Sequence, residues 1–397
     1  MAVINPKEEL INLARRALNH CKNQTTDLTD SIMRMPIEAY IDEDRYRAER
    51  NRIFSFLPIA IGLSIELPEP GHYKTLEVLE KPLLLVRGDD RKVRLFLNVC
   101  RHRGAKLCET EEGSANRFSC PYHSWVYDRQ GNLVTRYAAQ TFGDLEHSSL
   151  GLTQLGCEEA GGIIWATLGS KEPFDISRWL GAMAPQLRSL DLANWYLFKK
   201  RELDGPGWKV TLDGYLEIYH HNTVHGKTVG QHTIGNLLVL DTYGPHQRLT
   251  LGRKSLKSLQ NEPEERWEPL EHIRLVHNCF PNLSISGILG DHCLVSMIFP
   301  GARPDSTRTI QMILSAKEPL NEIDMEATSN FSEMVLQAVR DEDYRLGLLI
   351  QSGIKSGANH EFLYGKNEPA VQNYHKWIDH FMRQETDLDW ANSLREN

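Results

Sequence analysis

No run of this 397-residue chain approaches about eighteen uninterrupted apolar residues, so no helix is expected to span a bilayer. Positive charge is not in excess either. Lys and Arg number 45 against 53 Asp and Glu, a formal net charge of −8, which argues against nucleic acid or an anionic membrane surface as partner. The opening Met1-Ala-Val-Ile-Asn-Pro-Lys-Glu-Glu lacks the basic region and apolar stretch of a signal peptide, and a cytoplasmic protein is expected. Cysteine is scarce and scattered. Seven residues, an odd number, make no disulfide framework and fit a reducing compartment. Internal repeats and low-complexity tracts are missing, which sets aside solenoids and disordered tails. What remains is an ordinary globular composition, 41% hydrophobic and 25% charged, long enough for two domains or one large composite.

Elements can be placed along that length. Leu10, Leu13, Ala14, Ala17 and Leu18 recur at helical spacing, so a helix opens the chain over residues 7–22. Asp42 caps a second helix, from Asp44 to about Phe54. From Phe56 the texture becomes short β-type runs. Leu83–Val86 and Val93–Val99 form a hairpin around Gly88-Asp-Asp90, and a closing strand lies at Gly162–Leu168. A boundary falls near Gly169–Pro173, followed by a helix to about Leu190. Strands return at Leu237–Asp241, Arg248–Leu251, Ile273–His277, Leu283–Ile288, Cys293–Phe299 and Thr309–Leu314. No βαβ alternation accompanies them, so the sheet is expected to be antiparallel. Asn321 caps a long helix through Phe331, Val335, Val339 and Leu346, and a last helix runs from about Pro369 to Arg383.

Chemistry concentrates first at Cys100-Arg-His102 and, after seventeen residues, Cys120-Pro-Tyr-His123. A tetrahedral zinc site also accepts two Cys and two His, but zinc fingers usually group Cys with Cys and His with His. Two loops that each offer one thiolate and one imidazole suit a two-iron Rieske cluster, with Cys on one iron and His on the other. The flanking residues agree: Cys100-Arg-His102-Arg103-Gly104 and Cys120-Pro121-Tyr122-His123-Ser124-Trp125 resemble the cluster loops of Rieske non-haem iron oxygenases. The other five cysteines are expected to pack as small hydrophobes.

A second constellation is Glu217-Ile-Tyr-His220-His221-Asn-Thr-Val-His225, at the end of a helix starting near Lys209. Mononuclear ferrous iron in oxygenases takes two imidazoles and one carboxylate on one face. On an ideal helix His220 and His225 stand about 140° apart, so they can share a metal only where the helix loosens. Thr223 and Val224 are where that loosening is expected, and His221 is expected to point away. A polar helix end with surface histidines is the bland alternative. The resemblance selects the same pair of histidines, since Rieske oxygenases carry an acid, two residues, His, four residues, His. It also implies the third ligand, an acid eight residues before a Gln. Here that is Asp343, before Gln351, with Asp341 in reserve. Glu217 matches the acid that, in the family, hydrogen-bonds a cluster histidine across a subunit boundary. Many members carry Asp there; Glu occurs in some that act on alkylammonium substrates and other non-aromatics. Asp213 stands where many relatives have Asn and is a candidate for supporting the site from behind. Gly207 replaces another common Asn.

The resemblance spans nearly the whole chain. It implies an α+β protein: N-terminal helices over 1–54 packing on the catalytic domain, a small β-rich Rieske [2Fe-2S] domain over 55–170, and a catalytic domain over 171–397 with an antiparallel sheet flanked by helices. It implies the terminal component of a mono- or dioxygenase, using O2 and electrons that reach it from NAD(P)H through a reductase or ferredoxin, and a head-to-tail homotrimer. For the substrate, apolar stretches at Leu237–Tyr243 and Asn278–Leu289 (Leu238, Val239, Leu240, Phe280, Leu283, Ile285, Ile288) favour a mainly hydrophobic, cyclic or aromatic small molecule. Oxidative demethylation of a methylated amine is the alternative. An electron-transfer Rieske protein would leave the second constellation unexplained, and a zinc-stabilised binding protein would be redox-silent.

Overall fold

Short runs rich in β-branched and aromatic residues between Ile59 and Thr167 pair as antiparallel sheets in a computed structural model that describes residues 6–287 and 291–383. The described chain divides into two units. One holds Phe54–Trp179 and Gln186–Ala193; the other takes the chain up to Ile53, Leu180–Pro185 and the chain from Asn194 onward. No helix among the described residues is long and apolar enough to cross a membrane.

The first unit contains β1 (Ile59–Leu63), β2 (His72–Val78), β3 (Lys81–Arg87), β4 (Val93–Leu97), β5 (Glu112–Ser114), β6 (Phe118–Ser119), β7 (Val126–Tyr127), β8 (Leu133–Thr135), β9 (Gln154–Ala160) and β10 (Ile163–Thr167). Strands β6 to β8 form a small sheet. The rest form a seven-stranded antiparallel sheet in the order β1-β10-β9-β4-β3-β2-β5. The expected hairpin is β3–β4. Its turn closes by a bond from the Gly88 N–H to the Lys92 carbonyl at 2.9 Å, with Arg91 left-handed at φ +62°. Tyr73, Leu84, Val86 and Phe96 pack with Trp125 and Tyr127 around Cys100 and Cys120, so both cysteine loops are rooted in one core.

The second unit opens with α1 (Pro6–Asn23) and α2 (Glu43–Glu49). Asp42 caps α2, accepting the Arg45 N–H at 2.6 Å. The single helix expected up to Leu190 is two, Ile176–Leu180 and Met183–Leu190, because Gly181 turns left-handed at φ +50° between them. Next come β11 (Tyr196–Gly205), α3 (Trp208–Leu216) and α4 (His221–Val224). The strands β12 (Thr233–Tyr243), β13 (His246–Arg253), β14 (Ile273–Cys279), β15 (Leu283–Ser286), β16 (His292–Pro300) and β17 (Thr307–Ser315) follow. They build one antiparallel sheet in the order β11-β17-β16-β15-β14-β13-β12. Strand β11 was not foreseen, since its sequence YLFKKRELDG reads as charged loop.

Period-two alternation gives this sheet two different faces. On one, Leu237, Val239, Ile273 and Leu275 bury against Leu13, Ala14, Ala17 and Leu18 of α1. On the other, cross-strand neighbours Leu251 and Arg274, then Leu249 and Val276, stand side by side. Helix α5 (Glu322–Leu336) covers part of this second face, with Phe331 and Val335 against Leu294 and Ile313. Asn321 caps it, accepting the Asp324 N–H at 2.9 Å. The helix continues as a π-helical stretch, Gln337–Tyr344, before α6 (Arg345–Lys355); such stretches recur at functional sites. Helix α7 (Pro369–Arg383) ends the described chain.

A buried ion pair ties α2 to α3. Lys209 is 4% exposed and meets the fully buried Glu49, which also accepts from Arg45 Nε at 2.9 Å. Removing one member strands the other charge, so Glu49→Ala is expected to cost about 3–5 kcal/mol. It should lower the thermal midpoint of the holoprotein, and adding Lys209→Met should restore much of the loss. An unchanged midpoint in the single variant would refute the assignment.

Candidate metal centres and substrate cleft

Beyond β4 the chain turns through two loops of the same design. In the first, the Cys100 N–H donates to the Ala105 carbonyl at 2.8 Å and the Gly104 N–H to the Cys100 carbonyl at 3.0 Å. The second repeats both bonds, Cys120 to Trp125 at 2.8 Å and Ser124 to Cys120 at 3.0 Å. Gly104 and Ser124 occupy equivalent positions, and both are left-handed, at φ +78° and +53°. The loops thus present His102 and His123 toward each other, Nδ1 to Nδ1 at 3.1 Å, above two buried cysteines. Trp125 stacks on His102 at 5.0 Å, and the Tyr127 hydroxyl lies 3.4 Å from Cys100 Sγ while accepting the Arg101 N–H. Burial, then the neighbouring His123 and Arg103, lower the pKa of His102, a shift toward the neutral imidazole that a metal takes. Two thiols and two imidazoles on matched turns suit a two-iron cluster.

In the second unit α3 stops at Leu216, and Glu217 is extended at φ −126°, ψ 153°. The helix therefore breaks before His220, not at Thr223 and Val224, which lie inside α4. Glu217 caps the new turn, accepting the His220 backbone N–H at 3.1 Å. The interruption lets the side chains of His220 and His225 meet, Nε2 to Nε2 at 3.0 Å. Asp343 Oδ1 completes the group, 3.0 Å from His225 Nε2 and 3.5 Å from His220 Nε2. Three donors on one face of an octahedral ion, with bonds of about 2.1 Å at right angles, stand about 3 Å apart, so this set fits a mononuclear metal. Asp341 is exposed and paired with Arg340 at 2.6 Å, away from the group.

Each histidine has a carboxylate behind it. The Nδ1 of His220 bonds Glu217, and the Nδ1 of His225 bonds Glu342 Oε2 at 2.7 Å, which also accepts from the Thr228 hydroxyl at 2.6 Å. Such partners fix the tautomer and aim the other nitrogen at the metal. Glu342 was not singled out from the sequence, where it is one acid in an acidic run. Burial works to lower the pKa of His220, but Asp343 and Glu217 outweigh it and hold it at about 10. Burial works to raise Asp343, and its bonds to His220 and His225 pull it below the usual range.

Three expectations need correction. His221 does not point away: its ring lies 5.0 Å from that of His220 and 5.2 Å from that of His225, because the broken helix wraps all three around one point. Burial, then the charges of His220 and His225, lower its pKa to about 3, so it stays neutral. Asp213 does not touch the group. It accepts from the Tyr40 and Tyr364 hydroxyls, each at 2.7 Å, and bonds His375 Nε2 at 2.8 Å, in a separate buried network. The cleft walls are also displaced by one position in register. Leu249, Leu251, Val276, Ser284, Ser286 and Leu294 line it, with Val335 and Val339 of the C-terminal helix. Leu283 and Ile285 alternate to the opposite face, Val239 packs under α1, and Phe280 packs on Tyr374 and Phe381. Leu238 and Leu240 are not among the lining residues, and Ile288 and Leu289 lie outside the described ones. The cleft encloses about 820 Å³ of empty space, its open mouth included.

Comparison with known proteins bears on these two centres. The family model for the Rieske [2Fe-2S] domain matches residues 58–146, and that for the ring hydroxylating alpha subunit (catalytic domain) matches residues 192–384. The chain belongs to the Rieske oxygenase α-subunit family. It accordingly carries a Rieske [2Fe-2S] cluster and a mononuclear Fe(II), and it is an oxidoreductase of α+β fold. It is 24% identical to the glycine betaine monooxygenase oxygenase subunit of Pseudomonas aeruginosa, over 92% of this chain and 93% of that one. The corresponding Chromohalobacter salexigens subunit is 29% identical over 56% of this chain, which spans 53% of that protein's length. Benzene 1,2-dioxygenase subunit alpha of Pseudomonas putida is 35% identical over 36% of this chain and 32% of its own. Among solved structures, a quaternary ammonium Rieske monooxygenase in complex with L-carnitine shares the fold, with a TM-score of 0.76 at 20% identity over 92% of this chain and 99% of that one.

Metal analysis separates the candidate ligands in this oxygenase. Asp343→Ala should drop the iron content from about three to about two per chain while the cluster's absorption persists. Asp341→Ala should keep all the iron. Glu342→Gln should weaken mononuclear iron about 10- to 100-fold, read by chelator competition.

Proposed function

We propose that this protein is the terminal oxygenase of a cytoplasmic two- or three-component system, oxidising a small organic molecule with O2 and electrons delivered by a reductase or ferredoxin partner. The observation that carries this reading is the convergence of His220, His225 and Asp343 at the wall of an apolar cleft, in a chain that also presents the paired Cys100/His102 and Cys120/His123 loops. We assign the first three as ligands of the mononuclear iron and the other four as ligands of the cluster. When bound, the cluster supplies single electrons and the ferrous iron activates dioxygen.

The chain's own residues set the conditions for that chemistry. Glu217 and Glu342 hold the Nδ1 protons of His220 and His225, leaving both Nε2 atoms as donors. Leu249, Leu251, Val276, Leu294, Val335 and Val339 keep the cleft apolar, so a hydrophobic body is favoured there. Glu217, half-shielded and bonded to His220, is the carboxylate through which electrons from a neighbouring subunit's cluster enter, in a head-to-tail homotrimer.

Two substrate readings are supported by different observations. The apolar walls favour hydroxylation of a cyclic or aromatic compound. The match to glycine betaine monooxygenase subunits along 92% of the chain, against 36% for benzene dioxygenase, favours hydroxylation of an N-methyl carbon with release of formaldehyde. Tyr215 is the one Phe, Tyr or Trp among the described lining residues, so a cage of rings around a quaternary ammonium is not built there.

Purified protein should be brown, hold about three irons per chain and give a Rieske signal on reduction. Two irons alone would leave an electron-transfer protein, and zinc without colour would end the oxygenase reading. Oxygen uptake with a reductase and a panel of aromatics, terpenoids and methylated amines, with formaldehyde assayed, identifies the reaction. Glu217→Gln should keep both metals yet slow oxidation of the reduced cluster by O2 and substrate about 10- to 100-fold. Oxidation at the parental rate would remove its role as conduit.

A further inference from the structure

Histidines aside, the described lining of the cleft holds three charged side chains, and two of them, Glu217 and Asp343, are engaged by the histidines. The third, Arg274 on β14, is 8% exposed, and its Nε has no hydrogen-bond partner among the described residues. No described carboxylate forms an ion pair with it; the charged group that acts on it is a second cation, Arg253. Burial, then Arg253, lower its pKa to about 10, which still leaves the guanidinium charged at neutral pH. Arg248 shows what this sheet does with a structural arginine. It is as buried, at 4%, and one strand away, but it faces α1 and meets Glu9 at 2.7 Å and Asp241 at 3.0 Å.

A buried charge without a counter-ion is unfavourable, and folding alone gives no reason to keep one. Position gives a reason. Arg274 shares its sheet face with Leu251 across to β13 and with Val276 and Leu249 beside them. Ser284 stands on that face too, through the Asn278–Ser284 pairing, and its buried hydroxyl is likewise unpartnered. The cleft is therefore polarised, with carboxylates at the histidine end and an unmatched cation with a spare hydroxyl on the sheet wall.

We infer that the cleft takes a small organic carboxylate, whose anion pairs with the Arg274 guanidinium while its apolar body lies along Leu249, Leu251, Val276 and Leu294 with the reacting carbon toward His220 and His225. The planar guanidinium fork matches a carboxylate in two-point contact, so it selects anions and fixes direction. This inference rests on the cleft being the substrate site and narrows the substrate to an acid, whether its body is a ring or a methylated amine.

Holoprotein should be titrated calorimetrically, without reductase, with matched acid and amide pairs: benzoate and benzamide, 3-phenylpropionate and its amide, glycine betaine and its amide. At least one acid should bind about 10- to 100-fold tighter than its amide. Arg274→Met should abolish that preference and Arg274→Lys keep part of it, with iron content and the reduced-cluster signal unchanged in both. Equal affinity within every pair, or a preference that survives Arg274→Met, overturns the assignment. Should Arg274→Met not fold, the pairs on the parental protein still decide. Arg274-dependent acid binding without oxygen uptake would end the oxygenase reading and leave the carboxylate site standing. Oxygen uptake with an uncharged compound, unaffected by Arg274→Lys, alongside equal pair affinities would do the reverse.

Discussion

The histidine site of the larger unit is arranged around one electrostatic problem: three carboxylates, Glu217, Glu342 and Asp343, gathered on two imidazoles. Without a cation the imidazoles would have to be protonated to hold that much negative charge, and His220 held at about 10 shows how strongly the site demands it. A divalent metal meets the same demand while the imidazoles stay neutral, so metal binding and proton release are coupled here.

Regular helices could not have built it. Glu342 and Asp343 are adjacent, and neighbours on an α-helix diverge by about 100°. Yet one reaches His225 Nδ1 and the other His225 Nε2, 2.7 and 3.0 Å away. Both lie in the π-helical stretch between α5 and α6, where the wider turn changes the facing of successive residues. Opposite it, the break at Glu217 performs the same service for His220 and His225. Each interruption forgoes regular backbone bonding, and Glu217 recovers part of the cost by capping the chain it releases.

The cleft beside these side chains has two chemical ends. Its walls are aliphatic, its histidine end is acidic, and Arg274 puts an unneutralised cation on the sheet side. Relatives acting on glycine betaine and on benzene differ in whether their substrate carries charge, so a buried arginine in this position bears directly on which kind of molecule this oxygenase accepts.

The sequence by itself singled out the candidate ligands of both centres, because ligand chemistry is a matter of side-chain type and short spacing. Cys100, His102, Cys120 and His123 lie on two local turns, and His220 and His225 on one segment. Element types were equally legible wherever periodicity was strong, as in α1, α7 and the strands from β12 to β17. Tertiary structure alone decided what depends on facing. A one-residue change of register put Ser284 and Ser286, not Leu283 and Ile285, on the cleft. A helix break in place of a loosened turn brought His221 in beside His220 and His225, and a π-helical turn placed Asp343 and Glu342, not Asp341, against the histidines. Charged strand β11 could not be read in advance, since only its pairing with β17 marks it as a strand, and Arg274 could not, since only burial and the lack of an ion-pair partner among the described residues distinguish it from a surface arginine.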